Sequence, residues 1–68
     1  MIKIKLKELM ENTNISQREL SRLTGIRQAT LSTYYNDTYK MIPKEHLDLL
    51  CKFLNCKIDN IIEYIKED

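Results

Sequence analysis

The apolar residues at the amino end of the chain fit two patterns. Residues 1–7 alternate apolar and basic side chains, which is typical of a strand. Followed further along the chain, positions with helical spacing form one stripe: Ile2, Leu6, Leu9, Met10 and Thr13. We therefore predict a helix over about residues 4–12, which the polar run at 11–14 ends. A short strand at the very start stays open as an alternative.

Ser16 begins the second predicted helix. It fits a capping box, in which the Ser16 hydroxyl accepts from the amide of Glu19 and the Glu19 side chain reaches back to the Ser16 amide. Leu20 and Leu23 then face inward. Gly25, the single glycine of the chain, ends this helix because it adopts a left-handed conformation without strain.

The third predicted helix spans residues 28–36 and has an unusual outer face. Leu31 and either Tyr34 or Tyr35 face inward. The outer face holds only small or uncharged side chains: Gln28, Ala29, Thr30, Ser32 and Thr33. A solvated helix face normally carries charged residues. This face is therefore unusual, and its residues alone leave open whether it is a plain polar surface or one that forms hydrogen bonds with a partner.

The carboxyl half predicts two more helices. Pro43 suits the first turn of a helix, because its missing N–H has no partner there. A stripe with three- and four-residue spacing follows: Leu47, Leu50, Cys51 and Leu54. The isoleucines within 58–65 predict a last short helix. Residues 63–66 also fit a strand, which could pair with residues 2–4 or with a second copy of the chain.

Length and composition exclude several classes of protein. Sixty-eight residues make one small domain, 1–68, with a thin core and little room for a substrate pocket. A single histidine, no glycine-rich phosphate loop and no Ser or Cys beside that histidine argue against an enzyme. Residues 46, 51 and 56 do not share a helix face, so neither a metal site nor another cofactor is expected.

The chain carries no sign of a membrane or secretory protein. No apolar run reaches the roughly 18 residues that a membrane span needs, and no signal peptide is recognisable. The expected location is the cytoplasm. In that compartment Cys51 and Cys56 are expected to be reduced and buried.

Charge is distributed unevenly along the chain, although the net charge is only +1. Residues 16–40 hold four basic and two acidic side chains, whereas residues 41–68 hold four basic and six acidic ones. The positive part coincides with the second and third predicted helices. The difference is modest, so only weak nonspecific affinity for a polyanion, with strong dependence on salt, is expected there.

A helix, a glycine turn and a second helix follow the spacing of a helix-turn-helix. Residues 15–36, ISQRELSRLTGIRQATLSTYYN, resemble that motif in the Cro and phage-repressor (Xre-type) family. The matching positions are Gln17, Leu20, Gly25, Ile26, Leu31, Ser32 and Asn36. Pro43, the leucine stripe and residues 58–62 are similar to the family's last two helices. The resemblance covers nearly the whole chain.

The resemblance implies an all-α fold, a compact five-helix lambda-repressor-like domain with its helix-turn-helix at about 16–36. It implies sequence-specific binding of double-stranded DNA and transcriptional regulation, usually repression. Base contacts are then expected from Gln28, Ala29, Thr30 and Thr33. Contacts to the DNA backbone are expected from Gln17, Arg27, Asn36, Thr38 and Lys40.

Three positions depart from the family pattern. Arg27 stands where the family often has a Ser or Thr cap, and Tyr35 stands where many members carry an acidic residue. Ser21 stands where alanine is usual, so its hydroxyl is expected to bond backward along its own helix.

One recognition helix contacts too few base pairs for useful specificity. A homodimer on an inverted repeat, formed through the ends of the chain, is therefore expected. The alternative function is a protein-interaction module, such as the antitoxin component of a toxin–antitoxin pair. No small-molecule ligand and no membrane partner are expected for either function.

Overall fold

Residues 1–67 form five helices and one two-stranded sheet in the computed structural model. Asp68, the last residue of the predicted domain, lies outside the described residues. The elements in chain order are β1 (Ile2–Ile4), α1 (Leu6–Thr13), α2 (Gln17–Thr24), α3 (Gln28–Tyr35), α4 (Lys44–Leu54), α5 (Ile58–Ile61) and β2 (Ile62–Tyr64). The predicted fold class, helical with short terminal strands, is confirmed.

The sheet joins the two ends of the described chain. Its antiparallel register pairs Ile2 with Tyr64, Lys3 with Glu63, and Ile4 with Ile62. The predicted helix start near residue 4 is therefore wrong, because Ile4 belongs to β1 and α1 begins at Leu6. The strand alternative at the carboxyl end is confirmed, with its start shifted to Ile62.

One apolar core connects the helices to the sheet. Its buried members are Ile4, Leu6, Met10, Leu20, Ile26, Leu31, Tyr34, Leu50, Leu54 and Ile61. All five helices and β1 contribute to this cluster. Cys51 and Cys56 are free thiols, but the prediction that they are buried is wrong. Both are only half-buried, because they lie where α4 ends at the surface.

The turn between α2 and α3 is fixed by local hydrogen bonds. Ser16 caps α2 by accepting from the amide of Glu19 at 3.1 Å. Gly25 adopts φ +77°, as predicted for the end of this helix. The Ser21 hydroxyl donates forward to the carbonyl of Ile26 at 2.6 Å, so the expected backward bond is wrong. Ser21 thereby ties α2 to the residue that enters the core after the turn.

Thr24 adds a second tie across the same turn. Its buried hydroxyl donates to the carbonyl of Leu20 at 2.7 Å and accepts from the amide of Ile26 at 3.1 Å. Ile26 is buried, so two hydrogen bonds and one apolar anchor hold the start of α3 against α2.

Gly25→Ala is expected to lower the free energy of unfolding by about 1–2 kcal/mol, the usual cost of left-handed backbone for an L-residue. A Cβ at this position meets no atom within 4 Å, so the cost is conformational and not steric. Urea unfolding followed by circular dichroism measures the change. Asn55→Gly, at another left-handed position with φ 52°, is the control and should not destabilise the fold. An unchanged unfolding curve for Gly25→Ala would contradict the turn geometry.

Candidate nucleic-acid interface

The amino end of α3 projects an exposed set of side chains. Arg27, at the N-cap position, and Gln28 and Ala29, in the first turn, are all exposed. Within residues 1–67, no group hydrogen-bonds to the side chain of Arg27 or Gln28. Their donors and acceptors are therefore free to bind a partner.

α3 carries no charged residue along its whole length, unlike the other four helices described. Its inner face is fixed by Leu31 and Tyr34, which are fully buried. Tyr34 is thus the inward tyrosine of the two predicted alternatives. Tyr35 is half-buried and lies under the ammonium of Lys7, with Nζ 5.9 Å from the ring centre. The outer face is left with small or uncharged side chains.

Gln17 and Gln28 line the same open groove, which has a volume of about 630 Å³. The other lining residues come from α1, α2 and the segment between them, with Tyr35 from α3: Met10, Glu11, Asn14, Ile15, Ser16, Arg18 and Tyr35. Gln17 is half-buried and is the first residue of α2. The structure therefore brings together a predicted backbone contact and the leading predicted base contact.

Arg18 also lines this groove and was missed as a site residue. Four cations lie between residues 16 and 40, but Arg22 forms an ion pair with Glu19. A hydrogen bond from Arg22 holds the pKa of the Glu19 carboxyl below its ordinary value, and the same bond raises the pKa of Arg22. Among the described residues, Arg18, Arg27 and Lys40 have no acidic partner within ion-pair distance.

Thr30 and Thr33 lie on the next part of α3 and are half-buried. The Thr33 hydroxyl donates to the carbonyl of Thr30 at 2.6 Å. Its proton is therefore used inside the helix, and the oxygen remains available only as an acceptor. Thr33 suits a base amino group better than a phosphate, because a phosphate needs a donor.

Asn36, Thr38 and Lys40 follow α3 and are exposed. The Asn36 amide nitrogen donates to the Ser32 carbonyl at 3.0 Å and to the Ser32 hydroxyl at 3.3 Å. Thr38 donates more weakly to the carbonyl of Thr33 at 3.5 Å. Asn36 is therefore occupied in ending α3, whereas the ammonium of Lys40 is free.

Tyr34 anchors this segment on α4. Its hydroxyl lies 2.6 Å from Nδ1 of His46, and its ring packs edge-on against Tyr39 with centres 5.6 Å apart. Burial raises the pKa of both tyrosines above the ordinary range, and the neighbouring Asp37 adds to the shift at Tyr39. Both rings thus stay neutral and hold the chain beyond α3 close to the core.

Residues 1–67 contain no cluster of three or more His, Cys, Asp or Glu side chains that could hold a metal ion. In the same part of the chain, no helix is long and apolar enough to cross a membrane.

The glycine turn, the buried inner face of α3 and its exposed uncharged outer face define a helix-turn-helix DNA-binding domain. The family model described as the Cro/C1-type HTH DNA-binding domain matches residues 5–67, and the chain belongs to this family.

A relative from Bacillus subtilis (strain 168) is 33% identical over 65 residues, which cover 96% of this chain and 77% of the relative. That relative carries the description "Uncharacterized HTH-type transcriptional regulator YozG". The predicted family, binding of double-stranded DNA and role in transcriptional regulation are confirmed by these two matches.

Proposed function

We propose that this protein is a sequence-specific repressor that reads the major groove with the first turns of α3. The observation that carries the proposal is the free, exposed side chain of Gln28 on a helix without charge. An amide can donate to and accept from one base at the same time, most simply adenine. Ala29 beside it is small enough to let the helix approach a thymine methyl group.

The remaining contacts divide by chemistry. Thr30 and Thr33 reach base edges, with Thr33 as an acceptor. The residues that position the domain on phosphates are Gln17, Arg18, Arg27, Asn36, Thr38 and Lys40. Among these, Arg27 before α3 and Lys40 after it offer positively charged groups to the phosphates. The Asn36 side-chain amide must first break its hydrogen bond to the Ser32 carbonyl. In this proposal the protein acts in the cytoplasm. It represses transcription because it occupies a stretch of DNA that the transcription machinery also needs.

We also propose that the protein is a homodimer in which the β1–β2 sheets of the two copies form the contact. Ile2 and Tyr64 are cross-strand neighbours, and both are exposed, at 56% and 70%. Met1 pairs with Ile65 through backbone hydrogen bonds and is also exposed, at 54%. A second copy related by a two-fold axis would cover these exposed side chains and place two α3 helices on one inverted repeat.

Tyr64→Lys is expected to weaken self-association by roughly tenfold or more, since a buried aromatic side chain contributes about 1.5–3 kcal/mol. Sedimentation equilibrium over a range of concentrations measures the dimer Kd. Ile58→Lys is the control, because Ile58 is exposed but lies at the start of α5, outside the sheet. A wild-type chain that stays monomeric at high concentration, or a variant as dimeric as wild type, would contradict the dimer.

Selection from a pool of random DNA duplexes at near-physiological salt tests the function itself. An enriched inverted repeat, with half-site centres about 10 base pairs apart, supports the dimeric regulator. An isolated half-site contradicts the dimer but keeps the DNA-reading role. No enrichment by folded protein contradicts sequence-specific reading and favours the protein-interaction module, such as an antitoxin.

Where a site is enriched, in vitro transcription tests repression. Adding the protein should lower transcription from a promoter that overlaps the enriched site, and a rise would contradict repression.

A further inference from the structure

The end of α4 brings the two cysteines of the chain together. Asn55 adopts a left-handed conformation, with φ 52°, and its amide donates to the carbonyl of Cys51. The amide of Cys56 donates to the same carbonyl at 3.1 Å. In this type of helix end, the side chains at the two ends of the longer hydrogen bond frequently contact each other. Those two side chains are here both thiols.

The distance between the two cysteines suits a covalent bond. The 3.1 Å hydrogen bond between Cys56 N and Cys51 O limits the separation of their Cα atoms. Even if the connecting bonds were collinear, that separation is about 7.3 Å at most. Real bond angles shorten it into the range of about 4.4–6.8 Å that a disulfide spans. The backbone hydrogen bond therefore keeps the two Cα atoms close to the separation that a disulfide allows.

The surroundings give small reagents access to both thiols. Cys51 and Cys56 are half-exposed and line one open groove of about 690 Å³. The same groove is lined by two exposed lysines, two asparagines and one carboxylate: Lys52, Asn55, Lys57, Asp59 and Asn60. Two cations against one anion favour an incoming reagent with negative charge.

We propose that Cys51 and Cys56 form a dithiol site that small anionic disulfides oxidise to an intramolecular disulfide. One cysteine thiolate attacks a sulfur of the reagent, the reagent's S–S bond breaks, and one reagent thiolate leaves. The second cysteine thiolate then attacks the Sγ of the first cysteine, the mixed S–S bond breaks, and the other half of the reagent leaves as a thiolate. The protein loses two electrons and two protons, and the reagent is reduced to two thiols.

Thiol–disulfide exchange at Cys51 and Cys56 is expected to be slow at neutral pH. Burial raises the pKa of the Cys56 thiol above its ordinary value, and the neighbouring Cys51 and Asp59 add to the shift. A raised pKa leaves less thiolate, which is the attacking species, so the reaction is expected to speed up as the pH rises from about 7 to 9. None of the residues around these thiols lines the groove of Gln17 and Gln28, so the inference does not depend on DNA binding.

The test uses the folded full chain with oxidised glutathione as the reagent. After timed alkylation of the remaining thiols, intact mass spectrometry separates three products: unreacted dithiol, glutathione adduct and internal disulfide. We expect the internal disulfide, lighter by two hydrogen atoms, to form at an equilibrium at least tenfold more favourable than in concentrated urea. Cys51→Ser and Cys56→Ser should each accumulate the single glutathione adduct.

Two results would overturn the proposal. The first is folded wild-type protein that keeps glutathione on a cysteine without closing the ring. The second is an internal disulfide no more favourable in the folded chain than in urea, because native geometry would then contribute nothing. The urea comparison needs no variant, so it decides the matter even if a serine substitution destabilises the fold.

Discussion

Gln28→Ala is expected to weaken binding to the selected operator about 5- to 150-fold for each half-site, while binding to unrelated DNA is unchanged. The reason is that a side chain with two hydrogen bonds to one base contributes about 1–3 kcal/mol of discrimination. The Gln28 side chain forms no hydrogen bond within the described residues, so its removal leaves no buried group unsatisfied. Fluorescence anisotropy with operator and scrambled duplexes at fixed salt measures both affinities.

Two further variants separate base reading from positioning. Asn12→Ala removes an exposed amide from α1 outside the groove and should change neither affinity. Arg27→Ala should weaken binding to both duplexes alike and lower the slope of affinity against salt by about one, since a phosphate contact carries no sequence information. If Gln28→Ala weakened both duplexes equally, Gln28 would be a backbone contact and not the base-reading residue.

The helix-turn-helix could be predicted because its signals are local. Ser16 and Glu19 lie three residues apart, which is the spacing of the cap at the start of α2. Gly25 alone adopts the left-handed conformation that ends this helix. The ends of the chain could not be predicted in the same way. Positions 2, 4 and 6 satisfy the strand alternation, and 2 and 6 also belong to the helical stripe. The choice depends on pairing with residues 62–64, which no local pattern encodes.

Some features of the candidate site could likewise be predicted from local sequence, and others could not. Exposure of Ala29 follows from helical spacing once Leu31 is placed inward, whereas Gln28, three residues before Leu31, is exposed at the first position of the helix. The bonds that occupy Thr33 and Asn36 depend on rotamers at the end of a helix, which composition does not determine.

The free charge of Arg18 was predictable in principle. Glu19 and Arg22 are three residues apart and face each other on a helix, whereas adjacent residues do not. That spacing assigns the ion pair to Arg22 and leaves Arg18 for a partner. Counting charges over residues 16–40 could not make this distinction, because it treats both arginines alike.

Leu31→Ala is expected to lower the free energy of unfolding by about 2–5 kcal/mol, because it removes a large side chain from a core that cannot fully close the cavity. Leu31 is completely buried on the inner face of α3. A chain of this length has about 3–10 kcal/mol of total stability, so Leu31→Ala should remove a large fraction of it. Urea unfolding by circular dichroism gives the value. Leu23→Ala, at a half-buried position in α2, is the control and should cost less.

The same variant tests how the core supports the interface. Leu31 and Gln28 lie on one helix, the first inward and the second outward. Leu31→Ala should therefore melt at a lower temperature while its folded molecules still bind operator, and an excess of operator should raise its melting temperature by mass action. Gln28→Ala should show the opposite combination, with wild-type stability and weak operator binding. A Leu31→Ala variant with wild-type stability would mean that α3 is not held by this core.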